Sequence, residues 1–310
     1  MRIIFMGTPE FAVPTLKALI DSEDEIIAVV SQPDRHRGRG RKLAPTPTKL
    51  TAEEHDIPVL QPPKVKTEEF LDELRELNPD VIVVAAYGKI LPGELLEIPP
   101  HGCLNVHPSM LPKYRGASPI NGALVSGDKV TGVTIMQLDE GMDTGDILLQ
   151  REVPIEHDDT GVTLSKRLSA LGAELMIETI KLLKDGALKP VKQDDALATH
   201  TQMLKKEDGL IDWNKSAPEI RNLIRGMLPW PGAYTYLGDK MLKIYSAEAA
   251  HMGGAPGEVL GSSKEVLEVA CGEGSLIVTE LQIEGGKRLD AKSFLTGRNI
   301  EPGTVLGQAG

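Results

Sequence analysis

Apolar runs and amphipathic stretches alternate along the first half of the chain. Residues 2–6, 26–31, 58–61, 80–86 and 103–107 are almost continuously apolar, and stretches of helical pattern such as 14–21 and 68–77 separate them. Strands that are apolar at successive positions are buried on both faces, so this alternation predicts an α/β unit with a mostly parallel sheet between helices. The ligand of such a sheet sits at the carboxyl ends of its strands. Two more strand-like runs follow at 132–138 and 147–150. Leu164, Leu168, Leu171, Leu175, Ile177, Ile180 and Leu183 then recur on a helical period through 163–184, which predicts a long helix closing the unit with these side chains inward.

The pattern changes after about residue 187. Residues 187–201 lack long apolar runs and carry Pro190, Asp194, Asp195 and Thr199, a composition that suits a linker. A second domain is expected from Lys205. Ser216 and Glu219 form a capping signal for a helix over 216–225. Short strand-like runs at 233–237, 241–246, 258–260, 266–271 and 275–282, broken by Gly253-Gly254 and Gly285-Gly286, predict a small barrel. The chain is therefore divided into a Rossmann-like domain at 1–189, a linker at 190–204 and a β-barrel domain at 205–310. Trp213 and Trp230 are expected as core anchors, Trp230 because it lies between Pro229 and Pro231.

Composition narrows the function classes. Two cysteines, Cys103 and Cys271, are too few for a disulfide-stapled secreted fold. No apolar run reaches membrane-spanning length and the first residues enter a strand without a signal-peptide pattern, so a cytoplasmic protein without membrane attachment is expected. The turn at 7–11 lacks the glycine pattern of a dinucleotide site, and Glu10 would repel a phosphate there. The seven histidines are scattered and the cysteines never pair as Cys-x-x-Cys, so no metal is expected. A net charge of −11 disfavours indiscriminate nucleic-acid binding unless basic residues are locally concentrated.

Candidate chemistry centres on Asn105 and His107. Residues two apart on a strand share a face, roughly 6.6 Å apart, so both point the same way, with Cys103 in the same parity and Leu104 and Val106 opposite. Pro108 and Pro112 end the strand. An amide and an imidazole at a strand's carboxyl end can donate to a developing oxyanion or move a proton; a polar strand end bonded to its neighbouring loops is the alternative. Asp139, Glu140, Asp143 and Asp146 with Gly141 and Gly145 form a loop between two strands. That loop is a solvated acidic turn or a functional one, since the flanking helices and terminal Glu of an EF-hand are missing.

These elements together resemble the folate-dependent formyltransferases. Asn105, His107, the run from Ser109 to Pro112, Arg115-Gly116 and Gly141-Met142-Asp143-Thr144-Gly145 look like that family's active-site elements. The resemblance extends to residues 3–11, 32–40, 85–92 and 230–233, and so covers essentially the whole chain. Pro108 and Met110 depart from it, standing where a small residue and a leucine are expected. The resemblance implies transfer of a formyl group from 10-formyltetrahydrofolate to an amine, with Asn105, His107 and Asp143 as the catalytic residues. It further implies a folate pocket lined by Ser109, Met110, Leu111 and Pro112 and by Tyr87, Gly88, Lys89 and Ile90. The second domain it implies is similar to an OB-fold and helps to hold tRNA.

One basic concentration stands out against the acidic whole. Arg35, Arg37, Arg39, Arg41 and Lys42 alternate with His36, Gly38 and Gly40, which predicts a long exposed loop. By itself such a loop is a solvated surface as readily as a binding one. Alongside the resemblance it looks like a contact for a tRNA acceptor stem, with Arg39 foremost, and the implied acceptor is then the α-amine of initiator methionyl-tRNA. Lys205, Lys206, Arg221 and Arg225 are further phosphate contacts or ordinary surface charge. A monomer is expected. Rival functions are formylation of a sugar nucleotide or glycinamide ribotide, hydrolysis of the folate, and a non-catalytic RNA-binding module.

Overall fold

The computed structural model describes residues 1–37, 42–262, 266–298 and 300–307. To residue 201 the chain carries β1 (Arg2–Gly7), α1 (Val13–Ile20), β2 (Glu25–Val30), β3 (Arg35–Arg37), β4 (Lys42–Ala44), α2 (Pro47–Glu53), β5 (Val59–Leu60) and α3 (Glu68–Glu76). There follow β6 (Val81–Ala85), α4 (Gly93–Leu96), β7 (Cys103–His107), β8 (Arg115–Gly116), α5 (Pro119–Val125), β9 (Val130–Gln137), β10 (Ile147–Pro154), α6 (Gly161–Lys184) and β11 (His200–Thr201). Seven of these strands form one sheet in the order β10-β9-β7-β6-β1-β2-β5. The strands from β7 to β5 run parallel, while β9 is antiparallel to both β7 and β10, so a hairpin finishes an otherwise Rossmann-like sheet.

Strand parity sorts the core. Ile4, Met6, Ile82, Val84 and Cys103 are buried in one cluster with Phe70, Leu71 and Leu74 of α3. Leu104 and Val106 face the other way, and α6 comes so close there that a Cβ at Gly172 would stand 2.6 Å from Val106 Cγ1. Thus β7 supports a helix on one face and presents Asn105 and His107 on the other. The buried stripe of α6 keeps Leu164, Leu168, Leu175 and Ile180 as expected. Leu171, Ile177 and Leu183 are only half-buried, while Ala173, Met176 and Thr179 are buried in their place, because Gly172 turns the stripe toward β7.

The remaining elements are α7 (Ala217–Gly226), β12 (Ala233–Leu237), β13 (Lys240–Ala250), β14 (Val259–Ser262), β15 (Leu267–Ala270), β16 (Ser275–Ile283), β17 (Leu289–Asp290) and α8 (Ala291–Thr296). Their antiparallel sheet runs β12-β13-β16-β15-β14, with β17 also on β16, and forms a half-barrel. Its core takes Trp213, Ile220, Ile224, Leu242, Ile244, Leu276, Val278 and Leu281. The capping box of α7 forms as the sequence specifies, Ser216 Oγ accepting from Glu219 N and the Glu219 carboxylate from Ser216 N. Trp213 is buried and donates from Nε1 to Thr235 Oγ1 at 3.0 Å. Trp230 is not a core anchor. It is 54% exposed, because the prolines on both sides hold it out on a turn.

The chain divides into two compact units, Met1–Pro119 with Val130–Pro154 and Ser165–Thr201, and Ile120–Lys129 with Ile155–Leu164 and Gln202–Gly310. Residues 191–201, part of the expected linker, are bonded into the first unit: Ile147 pairs with Val191, and β11 pairs with β8. No helix among the described residues is long and apolar enough to cross a membrane.

Candidate active site

Asn105 and His107 end β7 on the face that β9 shares through Met136 and Thr134, their register partners. The loop after β9 leaves the sheet beside Cys103, where Leu138 N donates to Cys103 O, and folds back to bring Asp143 to His107. Asp143 Oδ2 lies 3.6 Å from His107 Nδ1 and accepts from Gly116 N at 2.8 Å. Asp143 holds a left-handed backbone, φ 55°, and Tyr114 another at φ 60°. Such conformations cost a non-glycine residue free energy and persist only where surrounding bonds determine them.

His107 is buried, and Nε2 lies 3.1 Å from the Tyr114 carbonyl. A carbonyl only accepts, so the proton of a neutral ring sits on Nε2 and Nδ1 turns its lone pair toward Asp143. Burial pushes the imidazole below its ordinary value, against the opposing pull of the Asp143 carboxylate and the Tyr114 carbonyl. The resting pair is a neutral imidazole beside a carboxylate, two groups positioned to take up one proton. The Asn105 carboxamide is half-buried and has no hydrogen-bond partner among the described residues. Cys103, on the same face, is inert, since burial pushes its thiol up to about 12.

The run Ser109 to Pro112 is braced from the sheet. Ser109 Oγ donates to Lys113 O at 2.6 Å and Thr134 Oγ1 to Ser109 O at 2.7 Å. Leu111 N donates to Thr134 Oγ1, and Gln150 Nε2 to Leu111 O. Ser109 and Leu111 are buried within this framework, whereas Met110 and Pro112 are half-buried. Of the other expected pocket residues, the Tyr87 ring packs in the core and its carbonyl accepts from Thr8 and Gln32. Lys89 Nζ turns to the carbonyl of Pro63. Gly88 has φ 83° and open space where a Cβ would stand, and Ile90 is 69% exposed. The backbone amides of Gly88, Lys89 and Ile90 find no acceptor among the described residues. Glu140 approaches Gly93 within 2.6 Å of a built Cβ, so the acidic loop borders this segment, and its Met142 is 57% exposed. Unspent main-chain donors between exposed apolar side chains suit a flat ligand with a polar edge. Among the described residues no group of acids, histidines and cysteines could hold a metal.

The basic segment begins and ends in two paired strands, and its middle, residues 38–41, lies outside the described residues. Arg35 pairs with Ala44 and Arg37 with Lys42, and Asp34 beneath them is held by Lys49 Nζ at 2.8 Å and Gln61 Nε2 at 2.7 Å. Arg35 is exposed; Arg39 and Arg41 lie outside the described residues. Lys205 and Lys206 are exposed. Arg221 and Arg225 are not free for phosphate: Arg221 bonds Glu248 and the carbonyl of His157, and Arg225 the carbonyls of Glu156 and Asp159. Gln193, Thr134 and Gln150 are contributors that sequence reasoning missed. A hydroxyl in the middle of the apolar run 132–136 was a usable signal for Thr134; nothing in the polar surroundings of Gln193 marks it.

The Formyl transferase model matches residues 1–180, and the Formyl transferase C-terminal domain model matches residues 203–299. The chain belongs to the formyl transferase family. It is 55% identical over 308 residues to the methionyl-tRNA formyltransferase of Citrifermentans bemidjiense, covering 99% of this chain and 97% of that protein. Among solved structures this family member resembles HypX from Aquifex aeolicus in complex with tetrahydrofolic acid, with a TM-score of 0.63 at 19% identity. That match covers 95% of the chain but only 47% of HypX. The N-formyltransferase from Helicobacter canadensis with folinic acid and dTDP-3-aminofucose gives a TM-score of 0.68 at 20% identity, over 89% of this chain and 98% of that one. At these identities the two structures speak for the fold alone.

Proposed function

We propose that the chain transfers the formyl group of 10-formyltetrahydrofolate to the α-amine of methionine on initiator methionyl-tRNA, acting as a monomer in the cytoplasm. The observation that carries the chemistry is the unpartnered Asn105 amide beside the His107–Asp143 pair. Bound folate supplies an activated formyl group on N10. Asn105 donates to the formyl oxygen as the methionine amine attacks its carbon and negative charge builds there; one such donor is typically worth about 10²–10³ in rate. The new N–C bond forms and the bond to N10 then breaks; the proton shed by the amine passes, directly or through water, to the His107–Asp143 pair and from there to N10, which leaves as the neutral amine of tetrahydrofolate. Burial that keeps His107 neutral at rest supports its use as an acceptor. Its protonated ring then donates from Nδ1 to Asp143.

Residues 109–112 and 87–90 form the folate pocket in this reading, with main-chain donors at 88–90 meeting the pterin edge. The tRNA lies against the basic segment at Arg35, Arg37, Arg39, Arg41 and Lys42, and against Lys205 and Lys206. In this reading folate chemistry belongs to the first unit, residues 191–201 included, and the second unit helps to hold the tRNA. Labelled 10-formyltetrahydrofolate with charged initiator tRNA should yield formyl-methionine on the tRNA. Formylation of an aminosugar nucleotide, or formate release without any acceptor, in preference to the tRNA product would refute the assignment.

A further inference from the structure

Gln193 lies 50 residues beyond Asp143 in a polar stretch, yet its side chain reaches the loop that carries the carboxylate. Its Nε2 donates to Asp143 O at 2.8 Å and to Gly145 O at 2.7 Å, and its Oε1 accepts from Arg115 Nε at 3.0 Å. The orientation of the amide is dictated by its partners, since two carbonyls can only accept and a guanidinium can only donate. Arg115 is itself buried, and its Nη2 pairs with Asp195 at 2.8 Å. The same segment also fixes the other side of the site. Thr199 Oγ1 accepts from Tyr114 N, and Thr199 O from Arg115 N, beside the Tyr114 carbonyl that holds His107.

We infer that Gln193 is a positioning residue for the formyl-transfer reaction, a two-pronged clamp that holds the left-handed backbone of Asp143 so that its carboxylate faces His107. This rests on the proposed role of Asp143. The backbone at φ 55° is disfavoured for Asp, and among the described residues its carboxylate accepts one hydrogen bond, from the Gly116 amide. Two hydrogen bonds to the carbonyls at 143 and 145 supply the missing restraint. Only an amide meets the geometry. A glutamate at 193 would keep the acceptor for Arg115 but turn a second acceptor toward two carbonyls, and a methionine would keep the volume and lose every bond.

The test uses the full chain with Gln193→Met and Gln193→Glu, each alone and combined with Asp143→Asn, in the formylation assay with charged initiator tRNA. The expected result is a fall in kcat of about 10- to 100-fold in both single variants, with KM for folate and tRNA changed by less than about threefold. His107, followed by imidazole NMR, should show a displaced titration in the Gln193 variants, which a merely structural loss elsewhere would not produce. In the Asp143→Asn background the Gln193 changes should add almost nothing, because the group they position has gone. Wild-type kcat and an unmoved His107 titration in Gln193→Glu, with Asp143→Asn inactive, would overturn the clamp alone. So would an equal loss from Gln193→Met in both backgrounds. Full activity in Asp143→Asn would overturn the catalytic reading itself, and the clamp with it.

Discussion

His107 Nδ1 and Asp143 Oδ2 face one another across 3.6 Å, too far for a hydrogen bond and close enough to share an arriving proton. The imidazole is buried and its proton is held on Nε2 by the Tyr114 carbonyl, so the open nitrogen is the one beside the carboxylate.

A titration of the labelled histidine should therefore place His107 below the ordinary value of about 6.5, because burial disfavours its cation. Asp143→Asn removes an influence that raises it and should move the titration lower still. Linkage gives the sign for stability: the unfolded chain takes the proton first, so stability present above about pH 6.5 is lost as the pH falls from there through the folded value. His107→Asn should flatten that loss, measured as melting temperature against pH. A His107 titration above 6.5 would contradict the neutral resting state.

Asn105→Ala should lower kcat by about 10²-fold or more while leaving the fold intact, because the carboxamide makes no bond within the described protein. Asn105→Asp tests the same role by charge. It replaces a donor by an acceptor where negative charge develops, and its loss should be at least as large. Thermal melts within a degree or two of wild type, set beside the kinetics, separate a chemical role from a structural one.

Thr134→Val should act through the neighbouring loop. The hydroxyl is buried, donates to Ser109 O, and accepts from Leu111 N and Gln150 Nε2. A near-isosteric methyl leaves these groups unpaired at a cost of about 1–3 kcal/mol, which should appear as a lowered melting temperature. The KM for the folate should rise as the 109–112 segment loosens. An unchanged KM together with a lowered melting temperature would make Thr134 a core residue with no part in the pocket.

Much of this was legible in the linear pattern, for physical reasons that differ by region. Continuous apolar strands predicted the parallel sheet, and the period of two put Asn105 and His107 on the face opposite Val106, where Gly172 of α6 packs. Periodicity could not place Asp143 against His107, because a loop with no repeat carries no periodic information; the resemblance alone pointed to it. Nor could it show that residues 191–201 are tied to Arg115 and Asp143, since a strap held by side-chain amides and backbone carbonyls has the composition of a linker. Trp230 shows the opposite limit, for a large aromatic ring is core by default until the prolines beside it hold it outward. Charge alone likewise did not distinguish Arg221, which bonds within its own unit, from exposed Lys206.

That distinction yields the last prediction, on the salt dependence of tRNA binding. Removing one cation that neutralises a phosphate should flatten the log–log slope of affinity against salt by roughly 0.7–0.9. Neutralising Arg37, Arg39, Arg41 and Lys42 together, or Lys205 with Lys206, should weaken binding of charged tRNA and flatten that slope. Folate binding should be unaffected. Arg221→Gln and Arg225→Gln should leave the slope unchanged and lower the melting temperature instead, because these guanidiniums hold Glu248 and the carbonyls of residues 156–159. A flattened slope in the Arg221 or Arg225 variant would show that the bonded arginines reach the tRNA after all. An unchanged slope in both lysine-bearing sets would leave the acidic protein holding its tRNA through something other than these charges.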